Sequence, residues 1–405
     1  MELPVGMGRG KAGPAGGRGN RPPPRKAADR IHTMLRVLLR KDRREGQEEM
    51  RMIHAADIHL SSGMDSAFPR DLAEERRQGL REAFVRMAEN AGRIGARAVL
   101  LAGDVFDSDR PSTKDREFFR GVVSSFPGTD FLYLRGNHDT GGAPLGELDN
   151  LKTFKSSWTR YDYGDVTVSG IELGEENCLS LYGQLDLPKG KTNIVMLHGQ
   201  TSDSPGKDRV CLRMLAGKNI DYLALGHVHR PQCGRLDERG EWAYSGCLQG
   251  RGFDEPGEHG YYVLDIGDGG VACKFVADRA FGVVETEVDV TGIAGAYAAA
   301  CRVREQTDFD SRCVYRVRLT GEADALSDDL AGDVESYLAD WRLCRLVRVK
   351  DERRRRIDAE AYAHDVSLRG EFVRTVLASP DYTEEEKARI VRCGLRALAG
   401  EEIKP

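Results

Sequence analysis

Leu134-Arg135-Gly136-Asn137-His138-Asp139 is the stretch around which the rest of the sequence can be ordered. It follows residues 130–133, an apolar and aromatic run that is typical of the end of a buried strand, and we predict this strand at 131–134. Glycine lets the backbone turn sharply, and the next three residues supply a carbonyl oxygen, an imidazole and a carboxylate. The stretch therefore indicates either a polar loop or part of a metal site with an acid/base group beside it.

Four other segments show the same arrangement of a short apolar strand that runs into polar side chains. The carboxyl ends of strands in an α/β sheet gather on one edge, where ligands bind, so we expect these side chains to lie together. Where two of them are two residues apart, an extended backbone aims both to the same side. The strands are predicted at 52–56, 98–102, 193–197 and 222–225, and the side chains that follow them are Asp57 and His59, Asp104, His198, and His227 and His229.

The alternation of strands with helices predicts an α/β fold in which sheets are buried between helices. Residues 241–281 then indicate antiparallel strands. In this first part of the chain we predict helices at 71–92 and 114–125, and further strands at 166–171, 179–182, 242–244, 260–266 and 271–276.

After residue 281 the pattern predicts a second, smaller α/β unit, followed by a tail of two amphipathic helices within 366–399. Thr383 and Glu386 have the spacing of a capping box that opens the second of these helices. In the smaller unit we predict strands at 283–290, 313–319 and 343–349 and helices at 293–304 and 326–340.

The polar residues at the strand ends form a ligand set of imidazoles and oxygens without a thiolate, which suits Mn²⁺, Fe²⁺ or Zn²⁺ in a catalytic site. Seven ligands are too many for one metal with an open position. Two metals ~3.5–4 Å apart and bridged by a carboxylate fit this number, and such a pair acts on phosphoryl groups. The predicted metal ligands are Asp57, His59, Asp104, Asn137, His198, His227 and His229.

Composition places the chain among ordinary globular proteins, with 405 residues, 31% charged and 40% apolar. No apolar run approaches the ~18 residues of a membrane span, and the 9 cysteines form no C-x-x-C pair, so we expect a cytoplasmic protein with reduced thiols and no membrane association. The net charge of −5 divides into +6 for residues 1–49 and −11 for the rest. An acidic body does not by itself predict a nucleic-acid binder.

Residues 1–49 are rich in Gly, Pro and Arg at their start, and we expect a disordered basic extension with at most a short helix at 32–45. Two interpretations stay open. The extension is either a basic arm that touches nucleic acid or the product of an over-long translation start, with the true start at Met50 or Met52.

The motifs D-x-H, G-D, G-N-H-D, H-G and G-H-x-H, in this order, resemble those of the calcineurin-like metallophosphoesterase superfamily over residues 50–280. More narrowly, LAGDVFD (101–107), RPS (110–112), IDYLALGHVH (220–229) and YSG (244–246) look like the SbcD-type DNA repair exonucleases. The resemblance implies a four-layer α/β metallophosphoesterase sandwich with a small α/β capping domain and C-terminal helices. We accordingly expect a nuclease domain at 50–282, a capping domain at 283–350 and a helical tail at 351–405.

By the same resemblance, the chain is expected to be a two-metal phosphodiesterase that hydrolyses DNA as an exonuclease, with or without endonuclease activity, in repair or recombination. Manganese is the expected metal, with iron, zinc or magnesium as alternatives. The family pattern implies that His138 lies near the scissile phosphate and protonates the leaving oxygen or stabilises charge. It assigns one metal to Asp57, His59, Asp104 and His229, and the other to Asp104, Asn137, His198 and His227, with Asp104 as the bridge.

Several roles are left open by the sequence. Asp139, predicted with His138 as catalytic, and Asp107 each either orient an imidazole or cap a turn. Arg353–Arg356 either contacts phosphates or is a solvated charge run. The tail either packs on its own chain or docks on the coiled coil of an SbcC-like ATPase, and the resemblance also implies a homodimer and DNA ends or single strands as partners.

Two other functions are kept as alternatives. The first is a metallophosphoesterase that acts on small or protein-bound phosphate esters. The second is a non-catalytic scaffold for an SbcC-like ATPase.

Overall fold

The computed structural model describes residues 50–139, 145–268, 270–323, 329–355 and 360–400. The chain divides into two units, residues 1–49 and residues 50–405, and all described residues belong to the second. The predictions made for residues 1–49 therefore lie outside the described residues.

The strands alternate with helices as the sequence predicts. The described strands are β1 (Met50–Ala55), β2 (Ala98–Ala102), β3 (Asp130–Leu134), β4 (Leu151–Thr153), β5 (Thr159–Tyr163), β6 (Val166–Gly170), β7 (Thr192–His198), β8 (Gln200–Ser202), β9 (Arg209–Cys211), β10 (Tyr222–Gly226), β11 (Gln232–Arg235), β12 (Glu241–Tyr244), β13 (Gly260–Gly267), β14 (Gly270–Ala277), β15 (Gly282–Asp289), β16 (Cys313–Thr320), β17 (Glu322–Ala323), β18 (Leu346–Asp351) and β19 (Arg354–Arg355). The described helices are α1 (Arg70–Arg93), α2 (Thr113–Ser124), α3 (Leu181–Gln184), α4 (Leu212–Leu215), α5 (Ala296–Gln306), α6 (Leu330–Asp340), α7 (Leu368–Ala378) and α8 (Glu384–Leu398).

Two six-stranded sheets form the body of the protein, in the orders β14-β13-β1-β2-β3-β4 and β11-β12-β10-β7-β6-β5. In the first sheet β1, β2, β3 and β4 are parallel, and in the second β6, β7, β10 and β12 are parallel. Parallel strands share the direction of their carboxyl ends, so each sheet presents one edge at which several strands end.

Alternating side chains of these strands fill separate cores, as the two faces of a strand require. One core lies between the sheets and contains Leu100 and Leu132 of the first sheet with Ile194 and Met196 of the second. The outer face of the first sheet packs on α1 and α2, and that of the second sheet packs on α3 and α4. The body is thus a four-layer α/β sandwich, which confirms the predicted fold class.

The smaller sheet is parallel throughout, in the order β15-β16-β18, and packs on α5 and α6 around its own core, which includes Val317 and Val334. In the tail, Val373 of α7 packs against Val391 of α8. The capping box is present, because the backbone N–H of Thr383 donates to Glu386 Oε2 (2.8 Å) and the N–H of Glu386 donates to Thr383 Oγ1 (3.3 Å).

One prediction of local structure is wrong, and one predicted strand is shifted along the chain. Residues 179–182 were expected to form a strand but form a turn that leads into α3, because the carbonyl of Asn177 accepts from the N–H of Leu181 (3.0 Å) and starts a helical turn. A short apolar run does not distinguish a buried strand from a buried helix. The strand expected at 343–349 begins at Leu346, after a turn in which Arg342 has a φ of 51°.

Among the helices of the described residues, none has the length and apolar character that crossing a bilayer requires.

Candidate metal centre

The structure brings the seven predicted ligands together at the carboxyl ends of β1, β2, β3, β7 and β10. The two sheets meet at this edge, where His198 Nδ1 lies 2.9 Å from the carbonyl oxygen of Ala102. The backbone N–H of His227 donates to both carboxylate oxygens of Asp57, at 2.9 and 3.0 Å. Side chains up to 172 residues apart in the sequence, those of Asp57 and His229, therefore belong to one site.

The backbone at this edge is unusual. Non-glycine residues rarely adopt a positive φ, and such strain gathers at functional sites. Gly136 is required here for a different reason, since a Cβ at this position would overlap the carboxylate and the backbone nitrogen of Asp104. The predicted ligands with positive φ are Asp57 (50°), His59 (50°), Asp104 (52°) and His227 (102°).

One group of ligands, called the His59 cluster here, consists of Asp57, His59 and His229, each with a ligand atom within 4.8 Å of the others. His59 Nε2 lies 3.2 Å from His229 Nε2. Each ring has a carboxylate at its other nitrogen, and this favours a proton on Nδ1 and a lone pair on Nε2. Two facing lone pairs repel one another unless a cation or a proton lies between them.

A second group, called the His198 cluster, consists of Asn137, His198 and His227. Asn137 Oδ1 lies 3.0 Å from His198 Nε2 and 3.0 Å from His227 Nδ1. The His198 Nδ1–H donates to the carbonyl of Ala102, so a neutral His198 would turn the lone pair of its Nε2 toward an amide oxygen. A proton or a divalent cation at Nε2 removes this conflict of lone pairs.

Asp104 lies between the two clusters. Its Oδ2 is 3.3 Å from His198 Nε2 and 3.9 Å from His59 Nε2, and its Oδ1 accepts from the backbone N–H of His138 (2.9 Å). This is the position that a bridging carboxylate takes in a two-metal site.

His138 lies at the mouth of the site, with 47% of its side chain exposed. Its ring is perpendicular to that of His59, with centroids 5.0 Å apart, and its Nδ1 is 3.7 Å from Asp107 Oδ1. A substrate can reach this imidazole, whereas the rings of His59 and His198 are buried.

Asp139 is 1% exposed and holds the turn. Its Oδ1 accepts from the backbone N–H of Gly136 (2.6 Å), and its Oδ2 accepts from the hydroxyl of Tyr133 (2.7 Å) and the N–H of Val105 (3.0 Å). These contacts correspond to the turn-capping alternative and give Asp139 no contact with an imidazole among the hydrogen bonds of the described residues. The expectation that Asp139 acts beside His138 therefore has no geometric support.

Residues 50–231 match the family model described as calcineurin-like phosphoesterase. This part of the chain is a calcineurin-like phosphoesterase domain. It contains all seven predicted ligands as well as His138, and the resemblance seen in the motifs is confirmed.

Among the similar proteins, YhaO of Bacillus subtilis, named as an uncharacterized metallophosphoesterase, is 29% identical over 266 residues, which are 60% of this chain and 64% of that protein. The DNA double-strand break repair protein Mre11 of Methanosarcina acetivorans is 23% identical over 88% of this chain and 57% of its own length. The protein of the same name from Haloferax volcanii is 27% identical over 86% of this chain and 76% of its own length. The chain thus spans less than two thirds of the first two relatives.

The pKa values of the site's carboxylates and histidines show which of these groups carry charge when no cation is bound. Burial raises the pKa of Asp57 to about 6. Burial also lowers the pKa of His59 to about 4, which keeps this ring neutral and its lone pair available. These shifts describe a pocket that disfavours isolated charge of either sign.

Two other histidines instead have raised pKa values, which favour their protonated forms. Burial opposes charge on His198, but hydrogen bonding to Asp104 outweighs it and raises the pKa of His198 to about 9. The pKa of Asp104 is correspondingly held well below its usual range, although burial alone would raise it. Burial likewise opposes charge on His229, and the Glu255 carboxylate raises its pKa. Both shifts favour a proton on a ring that the sequence predicts as a metal ligand.

Two residues of the site were missed at the sequence level. Glu255 Oε1 lies 2.7 Å from His229 Nδ1, and Arg251 contacts both Glu255 and Asp107. Both lie in the segment after Tyr244-Ser-Gly246. Their opposite charges four residues apart were a weak signal, because such a pair is ordinary on any protein surface.

Proposed function

We propose that the chain is a two-metal phosphodiesterase that hydrolyses DNA as an exonuclease, with or without endonuclease activity, in DNA repair or recombination. The observation that carries the proposal is the convergence of donor atoms in the His59 and His198 clusters on either side of Asp104. The similarity to two proteins named for DNA double-strand break repair supports DNA as the substrate.

The residues fit two divalent cations. Nitrogen and oxygen donors without thiolate suit manganese, with iron, zinc or magnesium as alternatives. Two such ions, when bound, supply positive charge to the transferring phosphoryl group and lower the pKa of bound water. One ion would be held by Asp57, His59, Asp104 and His229, and the other by Asp104, Asn137, His198 and His227.

The chain itself supplies orientation and a proton. The backbone N–H of His138 donates to Asp104, so the backbone that carries the exposed ring is fixed beside the metal ligands. We propose that this imidazole donates a proton to the oxygen that leaves phosphorus. A positioned general acid of this kind contributes about 10²–10⁴-fold to the rate.

A specific observation favours a second candidate, an enzyme of small or protein-bound phosphate esters. A cavity of about 740 Å³ beside Asn137 has mixed charge, and its Arg135 and Lys207 are already paired with Glu172 and Glu175. Duplex DNA is bound largely through phosphate neutralisation by free Lys and Arg. A compact phosphate ester needs fewer such contacts.

The proposal for a partner protein rests on an exposed apolar surface in the tail. Val366 is 99% exposed and Leu368 is 71% exposed at the start of α7. We propose that this surface docks on the coiled coil of an SbcC-like ATPase, and that the protein is a cytoplasmic homodimer. Size measurement of the protein alone and with such an ATPase tests both statements.

The test of function is Mn²⁺-dependent degradation of end-labelled linear duplex and single-stranded DNA, with a small aryl phosphodiester in parallel. We expect the wild type to cut DNA, and we expect chelator and His138→Ala each to abolish cutting. The His138→Ala variant should still bind manganese, since its ring is not among the proposed ligands. Cleavage of the small ester alone would favour the second candidate, and a protein that binds no metal and cuts neither substrate would favour the scaffold.

A further inference from the structure

Two carboxylates outside the predicted ligand set contact the Nδ1 atoms of both histidines in the His59 cluster. Glu255 Oε1 lies 2.7 Å from His229 Nδ1. Asp107 Oδ1 lies 2.8 Å from His59 Nδ1, in a close contact that is not aligned as a hydrogen bond. A carboxylate in this position fixes the tautomer and orientation of a metal-binding imidazole and raises the basicity of its other nitrogen.

Arg251 connects these two carboxylates. Its Nη1 lies 3.3 Å from Asp107 Oδ1, and its Nη2 lies 2.9 Å from Glu255 Oε1. The backbone N–H of Arg251 also donates to Glu255 Oε2 (2.8 Å). A planar guanidinium between two carboxylates sets their separation, because its donors have a fixed geometry.

The loop that contains both residues is itself held firmly. The backbone N–H of Gly257 donates to the carbonyl of Val283 in β15 (3.0 Å), and His259 Nε2 lies 2.9 Å from the carbonyl oxygen of Glu255. A Cβ at Gly250 would lie 2.8 Å from that same carbonyl oxygen. Glu255 is 6% exposed, so its carboxylate reaches His229 from a buried and fixed backbone.

The His198 cluster is oriented differently. His198 Nδ1 faces the backbone carbonyl of Ala102, and the N–H of His227 is fixed by Asp57. A substitution at Arg251 or Glu255 touches neither contact. The two clusters can therefore be perturbed separately.

We propose that Arg251 and Glu255 are positioning residues that set the metal affinity of the His59 cluster, through His229 directly and through Asp107 and His59. This inference rests on the proposed two-metal function. Loss of such an outer partner typically costs about 10–100-fold in metal affinity. We expect a loss of this size at one of two sites, with the other site unchanged.

The test is calorimetric titration of the metal-free full chain with Mn²⁺ for the wild type, Glu255→Gln, Glu255→Ala and Arg251→Met. Gln keeps the volume of Glu and an oxygen that accepts from Nδ1–H, so it should retain more affinity than Ala. The matched control is Glu371→Gln, which removes an exposed ion pair with Arg374 in α7. Thermal unfolding in chelator shows whether each variant folds as the wild type does.

The electron paramagnetic resonance spectrum of bound Mn²⁺ distinguishes a positioning role from a merely structural one. At two equivalents the wild type should show an exchange-coupled pair, whereas Glu255→Ala should show the hyperfine pattern of an isolated ion with the second ion free. The proposal is supported if only one binding step weakens and Glu255→Gln is intermediate.

If every variant binds Mn²⁺ at both sites with the affinity of the wild type, the proposal is overturned and the two-metal site stays intact. Equal weakening of both sites in proportion to a lower unfolding temperature would also overturn it, since that result indicates general destabilisation. A wild type that binds no Mn²⁺ would instead contradict the proposed function. If Glu255→Ala does not fold, Glu255→Gln alone decides between these outcomes.

Discussion

Metal binding should release protons from ligands that the geometry identifies. The perturbation is addition of Mn²⁺ to metal-free protein at pH 7.5. His198 has a pKa raised to about 9 by Asp104, so we expect most of it to be protonated at this pH. Its Nε2 cannot hold both the proton and a metal ion, because a metal ligand must offer a lone pair.

The expected release is therefore about one proton from His198 at pH 7.5. His229 adds to this number because Glu255 raises its pKa, whereas His59 adds nothing because its pKa is about 4. Asp57, with a pKa of about 6, is nearly all ionised at pH 7.5 and about half protonated at pH 6. Asp57 and His229 should thus each release more protons at pH 6 than at pH 7.5, with about half a proton from Asp57.

The assay is isothermal titration calorimetry in two buffers of different ionisation enthalpy at each pH. The slope of the observed enthalpy against the buffer enthalpy gives the number of protons released. Binding of two ions with fewer than about half a proton released at pH 7.5 would refute the reasoning, since His198 would then already carry a lone pair in the metal-free state. Failure to bind metal at all would be a different result, and it would contradict the two-metal site itself.

Three further predictions follow from the same contacts. First, the folded-state pKa of His198 lies above its unfolded value of ~6.5, so its stabilising contribution of roughly 3 kcal/mol is complete below pH 6.5 and is lost as the pH rises through 9. Urea unfolding in chelator should show a loss of about 2 kcal/mol between pH 6.5 and 8.5, and saturating Mn²⁺ should remove this trend. Second, Tyr133→Phe deletes the 2.7 Å hydrogen bond to buried Asp139 and should cost about 1–3 kcal/mol in the same assay, while Mn²⁺ affinity stays the same. Third, Gly136→Ala places a Cβ against Asp104 and should abolish binding of at least one Mn²⁺ per chain, measured by metal analysis after dialysis. Gly128→Ala, where a Cβ has open space, is the matched control and should bind both ions.

The ligand positions could be predicted from the sequence because each depends on a local pattern. An apolar run that ends in glycine or in paired polar residues marks the end of a parallel strand, and topology alone then brings such ends together. The observed β2 has the predicted bounds, and β1, β3, β7 and β10 differ from prediction by at most two residues at either end.

The roles of Arg251 and Glu255 could not be predicted in the same way. The contact of Glu255 with His229 depends on how the loop after β12 folds back, and no periodic pattern encodes that path. Asp139 illustrates a different limit. A carboxylate next to His138 has the chemistry of a catalytic group. In the folded protein, however, Asp139 accepts a turn hydrogen bond from the N–H of Gly136, and its second oxygen accepts from the hydroxyl of Tyr133. The sequence alone does not show that both oxygens are used in this way.

The strained backbone and the buried charges of this site are explained if the folded protein gains stability from binding cations. Four ligand residues have positive φ, and each such residue costs of order 1–3 kcal/mol. Two buried carboxylates, Asp57 and Asp104, also lie close enough that each raises the energy of the other's charged form. A ligand that binds only the folded state stabilises it by about 2.7 kcal/mol at a hundred times its dissociation constant, and two cations do so twice. The backbone conformation that aims the ligands is therefore one that metal binding stabilises, and the metal-free protein should be the less stable form at every pH at which the site binds Mn²⁺.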